Sequence, residues 1–427
     1  MDYFTLEALP AQYGDCLLLH YGSQEKPGLI LIDGGPGGVW EDSLEPRLGA
    51  LAAARPGFRI NLMMVSHIDD DHVVGLVAFT GAWREAVEAD RPWPYPVREA
   101  WHNSFERVSN AKDINAVKAS VTASAGAASI EEVDLDQAGI ENTEERRDAL
   151  KVLASVTKGK RLRDNLDTLQ VPSNTGFAGH LVRPGQGPTV PYQLGPELTL
   201  HIVAPLPDQL TALQKEFAKE LKPEAALAAY TDGSVPNLSS IAAVATFKGK
   251  TVLLTGDARG DYLKNGLKQE GQLDANGKLH VDIFKLPHHG SDRNIDIDFF
   301  QDVTADHYVA SADGTFVNPD RPTLEMLIDA RGKDADYVIH LTYEVSAIDA
   351  KRHSSWDKDR GTEIKTRDKK IAAGKPPSGV RAEWDEDKHG LGTLFAAKQA
   401  EGYKFEVNAP PAAGNWPKID LLDPIPV

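Results

Sequence analysis

The chain of 427 residues has a single cysteine, Cys16. No disulfide can form within it, and a cysteine-rich zinc module is excluded. Basic residues are scarce beside acidic ones. There are 46 Lys and Arg against 63 Asp and Glu, a formal net charge of −17. Such a surface favours solubility and disfavours nonspecific binding to polyanions. It weighs less against a local metal site, where a bound cation is the largest nearby charge. No apolar run approaches the ~20 residues needed to span a bilayer. The opening MDYFTLEALPAQYGD has no basic start and no long apolar stretch. A soluble, cytoplasmic protein without signal peptide or membrane attachment is therefore expected. No repeat with a period of about 20–50 residues is present, so solenoids and propellers are not expected.

What is present is ordinary globular composition, 41% hydrophobic and 26% charged, enough for a large core. Short apolar runs punctuated by glycine, CLLLHYG and GLILIDGG, read as a hairpin or paired strands, with the Asp33-Gly34-Gly35 turn closing the second. PRLGALAAAR reads as a helix, INLMMVSH as a buried strand, and VVGLVAFTGAWREAVEAD as a helix by its apolar spacing. Strands are also expected in ELTLHIVAP, SSIAAVATFKGKTVLLTGD, VDIFKLPHHGS and ADHYVASADG, with helices in DYLKNGL and PTLEMLIDAR. Residues 106–170 are Ala- and charge-rich and read as a helical insertion between two halves, 1–105 and 171–340. The extension 341–427 is less regular. Its charged segment DKDRGTEIKTRDKKIAAGKPPSGVR reads as an exposed loop or disordered arm, and GTLFAAKQAEGYKFEVN as a final hairpin. Strands alternating with helices suit an α/β chain whose two sheets pack between helical layers.

Four stretches carry chemistry, each at the end of an apolar strand. SHIDDDH places His67, Asp69, Asp71 and His72 within six residues on one turn. Imidazole nitrogens and carboxylate oxygens both bind divalent metals at about 2.0–2.2 Å, so such a turn can converge on adjacent cations. Asp70, between them, is expected to face solvent. LLTGD puts Asp257 at a strand tip, where one carboxylate can bridge two metals about 3.5–4 Å apart. LPHHGS follows a strand with His288 and His289; one can be a ligand while the other meets substrate or leaving group. LIDGG offers Asp33 to orient a ligating histidine from behind. Singly, each is also compatible with a solvated polar turn.

Together, in the order LIDGG, HxDxDH, TGD, HHGS, they resemble the metallo-β-lactamase-fold hydrolase superfamily. More narrowly they resemble the soluble relatives of the hydrolase domain of the DNA-uptake protein ComEC, which carry HxDxDH rather than HxHxDH. That subgroup has an Asn-x-x-Ser step before the TGD strand, matched here by Asn237 and Ser240 in PNLSSIA. The resemblance covers roughly residues 10–105 and 195–330 and implies an αββα sandwich with a metal centre. No membrane channel accompanies it here, so a role in DNA uptake is not implied.

An aspartate at position 69 makes the site harder and richer in oxygen, which suits Mn²⁺ while leaving Zn²⁺ open. One cation would take His67, Asp69 and a bridging Asp257. The other would take Asp71, His72, Asp257 and one of His288 or His289. With one or two such ions, the expected reaction is hydrolysis of a phosphorylated substrate, such as a nucleic acid, a nucleotide or a small phosphodiester, by an activated hydroxide. Asp71, His288 and His289 would be its catalytic residues, with Asp33, Asn237 and Ser240 behind the ligands. Two alternatives stand beside it: hydrolysis of an ester, lactone or amide, and a regulatory or assembly role with protein partners on the insertion or the extension.

Overall fold

A computed structural model describes residues 1–103, 157–187, 189–195, 197–208, 210–211, 239–293, 295–410 and 415–426. Asn237 and most of the 106–170 insertion lie outside the described residues.

The chain opens with an antiparallel meander. β1 (Asp2–Ala8), β2 (Leu17–Ser23) and β3 (Pro27–Ile32) pair in order, with Leu19 opposite both Leu6 and Ile30. After α1 (Glu45–Ala54), β4 (Leu62–Met64) runs parallel to β3. α2 (Asp70–Glu88) then leads to β5 (Ala100–Trp101), parallel to β4. A further helix, α3, spans 157–168.

The second sheet starts with antiparallel β6 (Tyr192–Leu194), β7 (Leu198–Ala204), β8 (Ala242–Phe247) and β9 (Lys250–Leu254). It continues in parallel through β10 (Leu279–Lys285), β11 (Val303–Ala310) and β12 (Tyr337–Leu341). The helices beside them are α4 (Gly260–Gln269), α5 (Ile297–Asp302) and α6 (Arg321–Arg331). The parallel strands are fully buried over their C-terminal residues, such as Phe284, Val309 and Leu341, where both faces are covered.

Three cores define four layers. Phe4, Leu19 and Ile30 of the first sheet meet Leu200, Val252 and Ile283 of the second. Leu18, Leu31 and Met63, on the outer face of the first sheet, pack on Leu48, Leu76, Phe79 and Leu162 of its helices. Leu253, Phe284 and Ile339, on the outer face of the second, pack on Leu263, Phe299 and Leu327. The result is an αββα sandwich.

The extension departs from the sequence reading. Residues expected as a loop or disordered arm continue a long helix, α7 (Val345–Ala372). Its first turns are anchored by buried Ile348, Asp349 and Arg352. Lys, Arg and Glu are good helix formers, so the exposed remainder continues from that anchor. Arg381 folds back onto Glu363 and Asp359. The expected last hairpin is instead a helix and a strand. After the short α8 (Glu386–His389) come α9 (Leu391–Ala400) and β13 (Phe405–Asn408), which lies parallel to β12. β14 (Lys418–Asp420) then pairs with β1. The extension thus supplies an edge strand to each sheet.

Candidate metal centre

The C-terminal ends of β3, β4, β9 and β10 converge, and the loop between β1 and β2 closes over them. Past β4 the chain runs through Ser66 and buried His67 to Asp69, the N-cap of α2. An N-cap aspartate normally accepts from the first turn of its helix. Asp69 makes no such side-chain bond; its carboxylate lies 3.6 Å from His67 Nε2. Asp71 and His72 follow on the first turn of α2.

Past β9, Gly256 makes the turn that delivers Asp257. Its φ is +50°, and a Cβ there would lie 2.7 Å from the Ser66 Cβ. Side chains are disfavoured on both counts. Ser240 Oγ accepts from the Asp257 backbone N–H at 3.3 Å, which fixes that turn. Past β10, His288 and His289 both adopt left-handed backbone conformations, with φ of 48° and 54°, a strain that tends to gather at functional sites.

The two carboxylate oxygens of Asp257 face different partners. Oδ2 is 3.8 Å from His67 Nε2 and 3.7 Å from His288 Nε2. Oδ1 is 3.2 Å from His72 Nε2 and 3.8 Å from His289 Nε2. Asp71 completes the second set, 3.3 Å from His289 Nε2 and 3.8 Å from His72 Nε2. One ligand atom each from Asp71, His72, Asp257 and His289 lies within 4.8 Å of the others. The Nε2 atoms of His67, His72 and His289 are buried and make no well-formed hydrogen bond. Buried nitrogens facing carboxylate oxygens at these distances fit a divalent cation.

Behind the ligands lies a hydrogen-bonded layer. His72 Nδ1 is 2.9 Å from Asp33 Oδ2, which directs its Nε2 toward Asp257. Asp33 also accepts from the Ser66 backbone N–H at 2.7 Å and from Ser66 Oγ at 2.6 Å. Asp15 stands behind His289, 3.3 Å from its Nδ1. It pairs with buried Lys285 at 2.9 Å and accepts from the Ser311 hydroxyl. Asp15, Asp33 and His72 Nδ1 also cluster closely enough to hold an ion. Those carboxylates are already engaged by Lys285 and the two serines, so this group serves as support for the ligands.

The electrostatics agree with a cation site. Burial opposes charge on His72, yet the carboxylates of Asp257, Asp71 and Asp33 raise its pKa well above the imidazole range. His289 is likewise raised to about 9, with Asp15 and Asp257 outweighing burial. Burial would raise Asp257, but His72, His288, His289 and His67 hold it well below the carboxylate range. Asp71 is lowered against burial by His72 and His289, and Asp15 by Lys285 and His289. A field that favours imidazolium favours a metal ion on the same principle.

His67, Asp69, Asp71, His72, Asp257, His288 and His289 come together. Asp33 and Ser240 lie behind them. Asp70 pairs with Lys158, outside the ligand group. Sequence reasoning missed Asp15, Ser66, Lys285 and Ser311. A lysine inside the apolar strand LHVDIFK was an available signal, because lysine is almost never fully buried unless paired. Gly14 was a weaker one: a Cβ there would lie 2.0 Å from the Asp71 carbonyl oxygen, which accepts from the Asp15 N–H at 3.1 Å.

No curated protein matches the chain. A family model described as the metallo-beta-lactamase superfamily matches residues 14–155, a span that holds Asp15, Asp33 and the His67–His72 turn. Asp257, His288 and His289 lie beyond that span. With its αββα architecture and its clustered His and Asp side chains, the chain has the metallo-β-lactamase fold and the make-up of a metal-dependent hydrolase.

Proposed function

We propose that the protein hydrolyses phosphoester bonds, most readily phosphodiesters, with one or two divalent cations held by His67, Asp69, Asp71, His72, Asp257 and His289. The observation that carries this reading is the division of Asp257, one oxygen toward His67 and His288 and the other toward His72 and His289. Bound there, divalent cations would lower the pKa of water toward neutrality and offset charge on phosphoryl oxygens. Carboxylates make the donor set hard, which favours Mn²⁺ and leaves Zn²⁺ competent.

The protein's own residues supply position and proton transfer. Asp33 and Asp15 hold the rings of His72 and His289 in place from behind. His288 is 28% exposed, against 1% for His289. That exposure supports His288 as the histidine that meets substrate and donates a proton to the leaving oxygen. Its neighbour belongs to the ligand group.

The reading is tested by turnover of bis(p-nitrophenyl) phosphate with Mn²⁺ or Zn²⁺, alongside metal analysis. Turnover should be supported by added metal and should fall at least a hundredfold in Asp71→Ala. Metal-loaded protein that cleaves no phosphodiester would sink it.

A further inference from the structure

Phe316 is the one aromatic side chain among the large apolar residues exposed in the described residues, at 69% exposure. It is not a loose end. It sits at φ +59°, followed by Val317 at +73°, both in the left-handed region. The Asp313 carboxylate fixes the turn by accepting from the Thr315 N–H at 2.9 Å, and it pairs with Lys351. Arg352 Nε donates to the Val317 carbonyl at 2.9 Å. A bulky residue is disfavoured in this conformation, and so exposed a ring recovers little of that by burial.

The ring connects to the metal centre through Tyr13. It meets Tyr13 edge to face, with centroids 5.2 Å apart and planes at 85°. Tyr13 belongs to the loop that carries Gly14 against Asp71 and Asp15 against His289. Its hydroxyl lies in the field of Asp71, Asp70 and Asp313. Ser311, on the loop that bears Phe316, bonds Asp15. Both aromatic residues are thus tied to the layer behind the ligands. At 69% exposure the Phe316 ring offers surface on which a flat group can stack. One ring is far short of the roughly 1,200 Å² of a stable protein interface.

We infer that Tyr13 and Phe316 form an aromatic platform that takes a planar ring of the substrate, so that the preferred phosphoester carries a heteroaromatic group such as a nucleobase close to the bond that is cut. This rests on the phosphoesterase reading above.

The test is calorimetric binding of thymidine 5′-phosphate and methyl phosphate to Mn²⁺-loaded protein, wild type and Phe316→Ala. The two ligands share the phosphate, and only one carries a ring. Wild type should prefer the thymidine ester about tenfold, and Phe316→Ala should erase most of that preference, in line with base stacking on aromatic side chains. Phe316→Trp should keep it. Equal affinities in wild type, or a preference that survives in Phe316→Ala and in Tyr13→Leu, would overturn the platform while leaving the phosphoesterase reading intact. Binding of neither phosphate would overturn both.

Discussion

Asp15 carries a charge where almost no water reaches it. It is 1% exposed, and its stabilisation comes from Lys285, His289 and Ser311. Breaking a buried pair leaves its partner uncompensated, at a cost of about 3–5 kcal/mol, whereas removing both partners can be nearly neutral. Asp15→Asn should therefore lower the unfolding free energy by about 3 kcal/mol, and adding Lys285→Met should recover a large part of that loss. Urea titration of the two single variants and the double variant closes the cycle. Additive losses would mean that the pair is not coupled. The same residue marks the limit of what the sequence made legible. His67, Asp69, Asp71 and His72 stood out because six consecutive positions on one turn can meet locally. Asp15 did not, because its partner Ser311 lies 296 residues further along the chain. Only the fold brings the two together, and one aspartate after a glycine is an ordinary turn.

Among the elements, the buried strands were the most legible, since apolar runs ending in Gly or Asp mark both the strand and the polar tip. The β2–β3 pairing joins the apolar runs CLLLHYG and GLILIDGG, and the β8–β9 hairpin lies within SSIAAVATFKGKTVLLTGD. α7 was not legible as a helix, because a solvated helix and a disordered arm share the same charged composition. What separates them is the buried first turn, and Arg352 and Asp349 reveal it only by reaching residues around 389–392. The parallel strands also bury a histidine unrelated to the metal centre. His340 on β12 meets His307 at 3.1 Å and Asn408 at 3.0 Å. Burial first, and then His307, lower its pKa to about 3. An unfolded histidine titrates near 6.5. Between those values the unfolded chain holds a proton that the folded chain does not, so stability falls as pH falls. The slope for one such group is about 1.4 kcal/mol per pH unit. With chelator present throughout, His340→Gln should flatten the dependence of unfolding free energy on pH between about 6 and 4. An unchanged slope would show that His340 is protonated in the folded chain.

At the level of the whole molecule, the metal centre joins the two sheets. Asp71 and His72 start α2 beside the first sheet, while Asp257 and His289 end strands of the second. A bound ion would cross-link them and offset a concentration of carboxylates in a chain of net charge −17. Ligands that bind only the folded state stabilise it by about 2.7 kcal/mol at a hundredfold excess over Kd, a shift of several degrees in Tm. Mn²⁺ or Zn²⁺ should raise Tm by that order, and chelation should reverse the rise. Cations also relieve general repulsion on any acidic protein, so the location of the effect is the sharper measurement. Asp70 and Asp71 are adjacent and have the same charge. One pairs with Lys158 away from the ligands, and the other lies 3.3 Å from His289 Nε2. Asp71→Asn should therefore remove most of the metal-induced shift, and Asp70→Asn should leave it nearly whole. If the two variants respond alike, the stabilisation is charge relief over the surface and the ligand assignment fails.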